Sequence, residues 1–231
     1  MPERNRVQNC AALLQRGWLS FQPEPFRQRV IECVRLQAFD PGGTIYGLGD
    51  PPGGIYGLVR GTMGVSIAPG RAGPHLAHLA LPGSWFGEGS FLTGQPRRVG
   101  LEAVTPCVLA HLTIADMERL VGGDPEVMRA FAQIAMTNID LCMRGIEDLL
   151  IRDPIRRVAA VLWRTSGGQR GIEIPMTQAE LARLANASRK YTLSALKQFV
   201  GLGLVRQGYH RIAVVEPERL RRFADDDGPG E

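Results

Sequence analysis

The residues whose types and spacing most directly suggest chemistry lie between Met176 and Val214. Thr177-Gln178-Ala179-Glu180 is a capping box: Thr177 accepts from a backbone amide and Glu180 reaches back to another. Ala179, Leu181, Ala182, Leu184 and Ala185 supply the apolar face of a short helix, and Asn186 sits where a tight turn needs a left-handed residue. Ser188 is then the N-cap of a second helix running from Arg189 to about Val200. Its inward positions are expected to be Leu193, Leu196, Phe199 and Val200. Its outward positions carry Arg189, Lys190, Tyr191, Ser194 and Lys197, and Gly201 and Gly203 stop it. Two short helices joined in this way form a helix-turn-helix, whose second helix offers its N-terminal end to base edges in the major groove. Arg189 stands there and can fork onto a guanine edge. Leu204 to Val214 reads as a hairpin turning near Gly208, a wing from which Arg206, His210 and Arg211 can reach phosphate.

The charge distribution agrees with this. Residues 152–222 hold 14 Lys+Arg against 5 Asp+Glu, a net +9, whereas residues 1–151 hold 13 against 14, a net −1. By charge alone the basic segment is either a footprint for a polyanion or a solvated Arg-rich surface. The cap, turn, second cap, basic outer face and wing together favour DNA. Catalysis finds no support, since paired carboxylates in a Gly/His setting, a metal cluster and a nucleophile elbow are all missing from the sequence. Cys10, Cys33, Cys107 and Cys142 are far apart and form no metal-ligand spacing, so no metal site is expected and a reducing cytoplasm fits. No run of 18 or more apolar residues suggests a membrane span, and Arg4, Arg6 and Arg16 interrupt any signal-like core.

The elements that must position these residues divide the chain. Residues 7–36 place Val7, Ala11, Leu14 and Trp18, then Phe26, Val30, Ile31 and Val34, at helical spacing, predicting two short helices separated by Pro23 and Pro25. From Leu36 to Leu112 short β-rich runs such as Ile55–Val59 and Gly64–Ile67 alternate with Gly/Pro turns, the texture of a sandwich or barrel. Asp124-Pro125-Glu126 opens a long helix reaching about Arg152. One apolar seam on it comprises Met128, Ala135, Cys142 and Leu149 with Ala132, Ile139 and Ile146 between them. Phe131, Ile134, Leu141 and Leu150 form a second stripe. One helix with two apolar faces needs two partners, so one face is expected on the β domain and the seam against a second copy of the chain. A single wide face buried within one chain is the alternative. Asp153-Pro154 breaks this helix and opens the next.

With these pieces in place the chain resembles the superfamily of the cyclic-AMP receptor protein and the fumarate–nitrate reduction regulator (Crp/Fnr), bacterial transcription regulators, from about Phe26 to about Glu216. The C-terminal likeness rests on Thr177-x-x-Glu180-Leu181-Ala182, Ala187-Ser188-Arg189 with Ala195-Leu196, and Gly203-Leu204-Val205. The N-terminal likeness rests on Phe39-x-Pro41-Gly42, Gly61, Pro82 to Glu88, and Gly94-Gln95-Pro96-Arg97, the last two looking like the family's phosphate-binding cassette. The resemblance implies an α+β chain in four parts. Residues 1–123 would be a cyclic-nucleotide-binding-like β-roll (jelly roll) with flanking helices. Residues 124–152 would be a dimerisation helix, 153–223 a winged helix-turn-helix, and 224–231 a disordered acidic tail. It also implies a homodimer on palindromic double-stranded DNA, working with RNA polymerase and regulated by a small ligand.

Carried over residue by residue, Gly87, Glu88 and Arg97 would hold the ribose and cyclic phosphate of cyclic AMP or another cyclic nucleotide, with Cys142 on the central helix near the ligand. The departures bear on the signal. Arg98 stands where a hydroxyl residue usually follows the arginine, and Leu141-Cys142-Met143 offers no hydroxyl to a purine. Arg98 would suit a more anionic ligand such as a cyclic dinucleotide. Alternatively, Glu88 and Arg97 would only brace the roll as a salt bridge in a ligand-independent regulator. A haem sensor would draw on His75, His78, Cys107 and Pro2, residues that an ordinary surface or core place explains more simply. The N-terminal cysteine cluster of the family's iron–sulfur members is missing, which argues against that cofactor. Cys142 on the seam would permit redox sensing, though a small apolar core role suffices. Lys190 and Ser194 replace the family's recognition-helix Glu and second Arg. Lys cannot accept from a cytosine amino group, so a different operator is expected.

Overall fold

The computed structural model describes residues 8–68 and 73–226. Pro2, Val7 and the end of the acidic tail lie outside them. The chain divides into two compact units, Met1–Asp140 and Leu141–Glu231.

The first unit begins with helix α1 (Ala11–Gln15), a 3-10 turn (Trp18–Phe21) and α2 (Glu24–Cys33). Eight strands follow: β1 (Arg35–Phe39), β2 (Thr44–Tyr46), β3 (Ile55–Arg60), β4 (Met63–Ile67), β5 (His75–Ala80), β6 (Trp85–Phe86), β7 (Gly100–Ala103) and β8 (Cys107–Leu112). They form two antiparallel four-stranded sheets, ordered β1-β8-β3-β6 and β2-β7-β4-β5. Successive strands alternate between the sheets except β4 and β5, which pair as neighbours within one sheet, and the Gly/Pro punctuation supplies the turns of this two-sheet arrangement. Helix α3 (Glu88–Thr93) is inserted between β6 and β7, and α4 (Ile114–Val121) follows β8. Asp124 starts the long helix α5 (Pro125–Leu150), its carboxylate accepting from the amide of Glu126 at 2.9 Å. Along α5, Val127, Ala130, Phe131 and Ile134 are buried. Phe131 packs against Trp18, Phe26 and Phe91 at centroid distances of 5.7, 5.8 and 5.5 Å, which ties the N-terminal helices and α3 to α5.

The boundary between the units falls inside α5, after Asp140, rather than at an end of the helix. The second unit continues with α6 (Pro154–Thr165), β9 (Glu173–Ile174), α7 (Gln178–Leu184), α8 (Arg189–Gly201), β10 (Val205–Gly208), β11 (Arg211–Val214) and α9 (Pro217–Asp225). Asp153 caps α6 by accepting from the amides of Ile155 and Arg156 at 2.7 and 2.8 Å. The three strands form an antiparallel sheet ordered β10-β11-β9. Their apolar side chains join Val158, Leu162, Leu181, Leu196, Phe199 and Leu220 in the core. Ala224 and Asp225, placed by the sequence reading in a disordered tail, are helical in α9, where Ala224 is buried and its carbonyl accepts from Arg156.

Four positions differ from the periodicity reading. Leu193 and Val200 are exposed, and Thr192 and Ala195 take the inward places. The stripe that faces the core is Thr192, Ala195, Leu196 and Phe199, with three- and four-residue steps, and Leu193 and Val200 are each one residue out of phase with it. Ala179 is exposed in the first turn of α7. Leu150 is three-quarters exposed at the last residue of α5.

Candidate DNA interface and effector pocket

In the second unit, local capping fixes the two helices. Thr177 Oγ1 accepts from the amide of Glu180 at 3.1 Å, and the Glu180 carboxylate accepts from the Thr177 amide at 2.7 Å and its hydroxyl at 2.8 Å. The hydroxyl of Thr177 is therefore engaged in the cap. Ser188 Oγ accepts from the Tyr191 amide at 3.3 Å and starts α8. Between the helices Asn186 takes a left-handed φ of 44°. Arg157, a residue the sequence reading did not single out, holds this turn from α6. Its guanidinium donates to the carbonyls of Ala185, Asn186 and Ile151 at 2.5, 2.8 and 2.6 Å.

The outer face of α8 carries Arg189, Lys190, Tyr191, Ser194 and Lys197, all exposed. Arg189, Lys190, Lys197 and the wing residue Arg206 form no ion pair or hydrogen bond among the described residues, so their charges meet solvent. Arg211, on the second wing strand, pairs instead with Glu173 at 2.8 Å across the sheet. Both partners are more than half exposed, so the pair contributes little to stability and leaves the guanidinium accessible. At the wing tip, Tyr209 stacks on His210 at 4.2 Å, and His210 has a left-handed φ of 52°.

In the first unit, Gly87, Glu88 and Arg97 converge. Gly87 caps α3 with φ 107°, and a β-carbon there would stand 2.6 Å from both Arg97 Nη1 and the Gly54 carbonyl oxygen. Only glycine fits both the backbone and the space. Arg97 is buried and donates through Nη1 to the Gly87 carbonyl at 3.0 Å and through Nη2 to the Gly54 carbonyl at 2.8 Å. Its guanidinium lies 4.1 Å over the ring of Tyr46. Arg97 also binds the 49–50 turn by backbone, its amide to Asp50 and its carbonyl from Gly49, both at 2.8 Å. The terminal nitrogens of Arg97 thus meet carbonyls rather than the Glu88 carboxylate that the bracing alternative required. Arg97 Nε and the Tyr46 hydroxyl are buried without a hydrogen-bond partner.

Glu88 is buried, and its carboxylate accepts from Asn138 Nδ2 on α5 at 3.1 Å. The same amide nitrogen also donates to the Trp85 carbonyl at 3.1 Å. Burial pushes the Glu88 carboxyl up from its ordinary value, against the pull of Asn138, the local amides and Arg97. Burial likewise raises the phenol of Tyr46, against Arg97, and that of Tyr56. Tyr46, Tyr56 and His111 extend the stack away from Arg97, with centroids 5.8 and 4.3 Å apart. His111 Nε2 donates to the Gly53 carbonyl at 2.7 Å, so that nitrogen carries the proton. The 53–54 segment is therefore gripped by His111 and Arg97 together. Tyr46, Tyr56, His111 and Asn138 were not anticipated. Only Asn138 left a sequence signal, a polar residue in the buried stripe of α5.

Arg98, next in sequence to the buried Arg97, is exposed. Cys142 is an exposed free thiol in the second unit, between half-buried Leu141 and exposed Met143. On the seam, Met128, Ile139, Ile146 and Leu149 are exposed, as are Met136 and Met143 beside it, and Ala132 and Ala135 are half-buried. His75 is exposed and His78 half-buried on β5, while Cys107 is buried and its thiol donates to the Thr62 carbonyl at 3.2 Å. Among the described residues no group of three or more His, Cys, Asp or Glu could hold a metal ion, and no helix is long and apolar enough to cross a membrane.

Comparison with known proteins finds two domain matches. Residues 36–124 match the cyclic nucleotide-binding domain, and residues 156–223 match the Crp-like helix-turn-helix domain. The CRP-like cAMP-activated global transcriptional regulator of Mycobacterium tuberculosis is 23% identical over 193 residues, 80% of this chain and 86% of that protein. The transcriptional regulator SdrP of Thermus thermophilus is 26% identical over 209 residues, 87% of this chain and 98% of that protein. FixK2 from Bradyrhizobium japonicum superposes with a TM-score of 0.70 at 18% identity, covering 86% of this chain and 99% of that one, a likeness of fold.

Proposed function

We propose, from the premise that this chain belongs to the Crp/Fnr family of transcription regulators, that it acts in the cytoplasm as a homodimer on a palindromic operator under the control of a small anionic ligand. The observation that carries the DNA-reading part is α8. It is capped by Ser188 and presents Arg189, Lys190, Ser194 and Lys197 to solvent, its cations unpaired among the described residues. In this reading Arg189 forks onto a guanine, Lys190 and Ser194 meet neighbouring base edges, and Tyr191, Lys197, Thr177, Arg206 and Arg211 position the backbone. The exposed seam of Met128, Ala135, Ile139, Cys142, Ile146 and Leu149 is the dimer surface. It spaces two reading helices about one DNA turn apart, roughly 34 Å, and RNA polymerase is the partner at the promoter.

The cluster around Arg97 carries the chemistry that a cyclic nucleotide would need. Arg97 Nε and the Tyr46 hydroxyl are donors with no partner among the described residues, and the bare backbone of Gly87 lets the Arg97 guanidinium approach closely. Arg97 would hold the phosphate, Glu88 would accept from the ribose hydroxyl, and Arg98 would add charge at the rim. A ligand-independent regulator is the second reading, favoured by the contacts that already join Arg97 to Gly49, Asp50, Gly54 and Gly87.

Operator selection with the full chain tests the DNA-reading part. Arg189→Ala is expected to relax preference at one position by about 1–3 kcal/mol. A uniform loss on all sequences would show that Arg189 does not read bases. Ile139→Asp is expected to give a monomer in sedimentation, and a dimeric variant would place the interface elsewhere. Calorimetric titration with cyclic AMP and with cyclic di-GMP separates the ligand readings. Absence of heat with both would leave the ligand-independent one.

A further inference from the structure

The outer face of α8 contains a residue that neither charge nor hydrogen bonding explains. Leu193 is 40% exposed. It lies four residues after Arg189 and four before Lys197, so the three side chains line one flank of the helix. Exposed Lys190 and Ser194 adjoin it. The core-facing stripe of Thr192, Ala195, Leu196 and Phe199 is complete without it. Single apolar side chains on a surface are ordinary, and Val200 is exposed on the same helix. What distinguishes Leu193 is its place one turn from Arg189, at the end of the helix suited to base edges, where a base edge of matching chemistry would cover it. In the major groove the edges of guanine, adenine and cytosine present only donors and acceptors. Covering one of those edges with leucine would remove water from a polar group and return no hydrogen bond. Thymine alone presents a methyl group there.

The geometry points to Leu193 as a specificity-determining residue that packs on the 5-methyl of a thymine in each half-site, next to the base pair read by Arg189. The assignment rests on α8 being the DNA-reading helix. It predicts an operator with a thymine preference at one position per half-site. That preference comes from a methyl group, with no hydrogen bond to a base.

Deoxyuridine differs from thymidine only by that methyl, so the test needs no variant to begin. The full-length protein is used to select an operator, and each half-site thymine is then replaced in turn by deoxyuridine. At one position the wild type is expected to lose about three- to fivefold in affinity, the effect of one unburied methyl. Leu193→Ala is expected to bind the thymine and deoxyuridine operators equally and to relax selection at that position. The proposal is overturned if no half-site thymine is selected, if every deoxyuridine operator binds the wild type unchanged, or if Leu193→Ala keeps the full penalty. Arg189→Ala on the same operators identifies the cause of failure. If it leaves base preference unaltered, the assignment of α8 itself is wrong. If it relaxes one position while deoxyuridine has no effect, only the role of Leu193 falls.

Discussion

Arg97 in the first unit and Arg164 in the second are both buried, and their charges are met in different ways. Arg164, on α6, donates through Nε to Asp148 near the end of α5 at 2.6 Å, with both side chains less than a tenth exposed. Arg97 is held by two backbone carbonyls and the face of Tyr46, with Nε left over. The Arg164 pair is electrically closed and fixes one element against another. The Arg97 site retains most of a positive charge in a place shielded from water. Backbone carbonyls and a ring face stabilise a guanidinium without neutralising it, and Glu88 acts on it through space without forming an ion pair.

The largest effect expected from this contrast is on stability. Burial pushes the Asp148 carboxyl up despite the adjacent guanidinium, so desolvation is not fully offset by pairing. Arg164→Met strands that carboxylate and is expected to lower stability by about 3–5 kcal/mol in urea unfolding. Arg164→Met combined with Asp148→Leu should recover most of the loss, because apolar packing replaces the pair. A double variant as unstable as the single one would mean that Arg164 matters through other contacts, and the contrast with Arg97 would weaken.

At the open cation the expected effect is on binding. Arg97→Gln removes the charge and is expected to weaken cyclic AMP binding by about 1.5–3 kcal/mol in calorimetry, the worth of a hydrogen bond to a charged group. Arg97→Lys should restore little, since an ammonium cannot span the Gly87 and Gly54 carbonyls while lying on Tyr46. Unchanged affinity in Arg97→Gln would make Arg97 a clamp on the 47–54 loop and nothing more.

How far each site was legible in the sequence follows from how local its interactions are. The capping box of Thr177 and Glu180, the cap at Ser188 and the left-handed Asn186 span a few residues each, so residue type alone discloses them. Errors on α8 were errors of phase. A helix rotates 100° per residue, so an apolar residue one step off the core stripe, such as Leu193 or Val200, reads as core when its neighbours are apolar. The pocket was visible only through its likeness to a known cassette. Tyr46, Tyr56 and His111 come from three strands in two sheets; strand pairing sets Tyr56 beside His111, and Tyr46 reaches Arg97 from the other sheet, a meeting that no local pattern encodes. Arg157 escaped for the same reason: its three acceptors include two carbonyls almost thirty residues away.

The smallest effect concerns the carboxylate beside the open cation, and it depends on pH. With its folded-state value raised, Glu88 is protonated in the folded protein and ionised in the unfolded chain between the ordinary and the raised value. Folding takes up a proton in that window, so this group's contribution to stability falls as pH rises through it and is level above. Glu88→Gln retains an oxygen that can accept from Asn138 and cannot ionise. The variant and the wild type are therefore expected to have similar urea midpoints near pH 4, with the variant ahead by pH 7. A gap that is the same at both pH values would show that the carboxylate is not strained by burial, and that Arg97 and Asn138 already satisfy it. The open charge of Arg97 would then be partly closed by Glu88 at neutral pH, and the distinction between the two buried arginines would be one of degree.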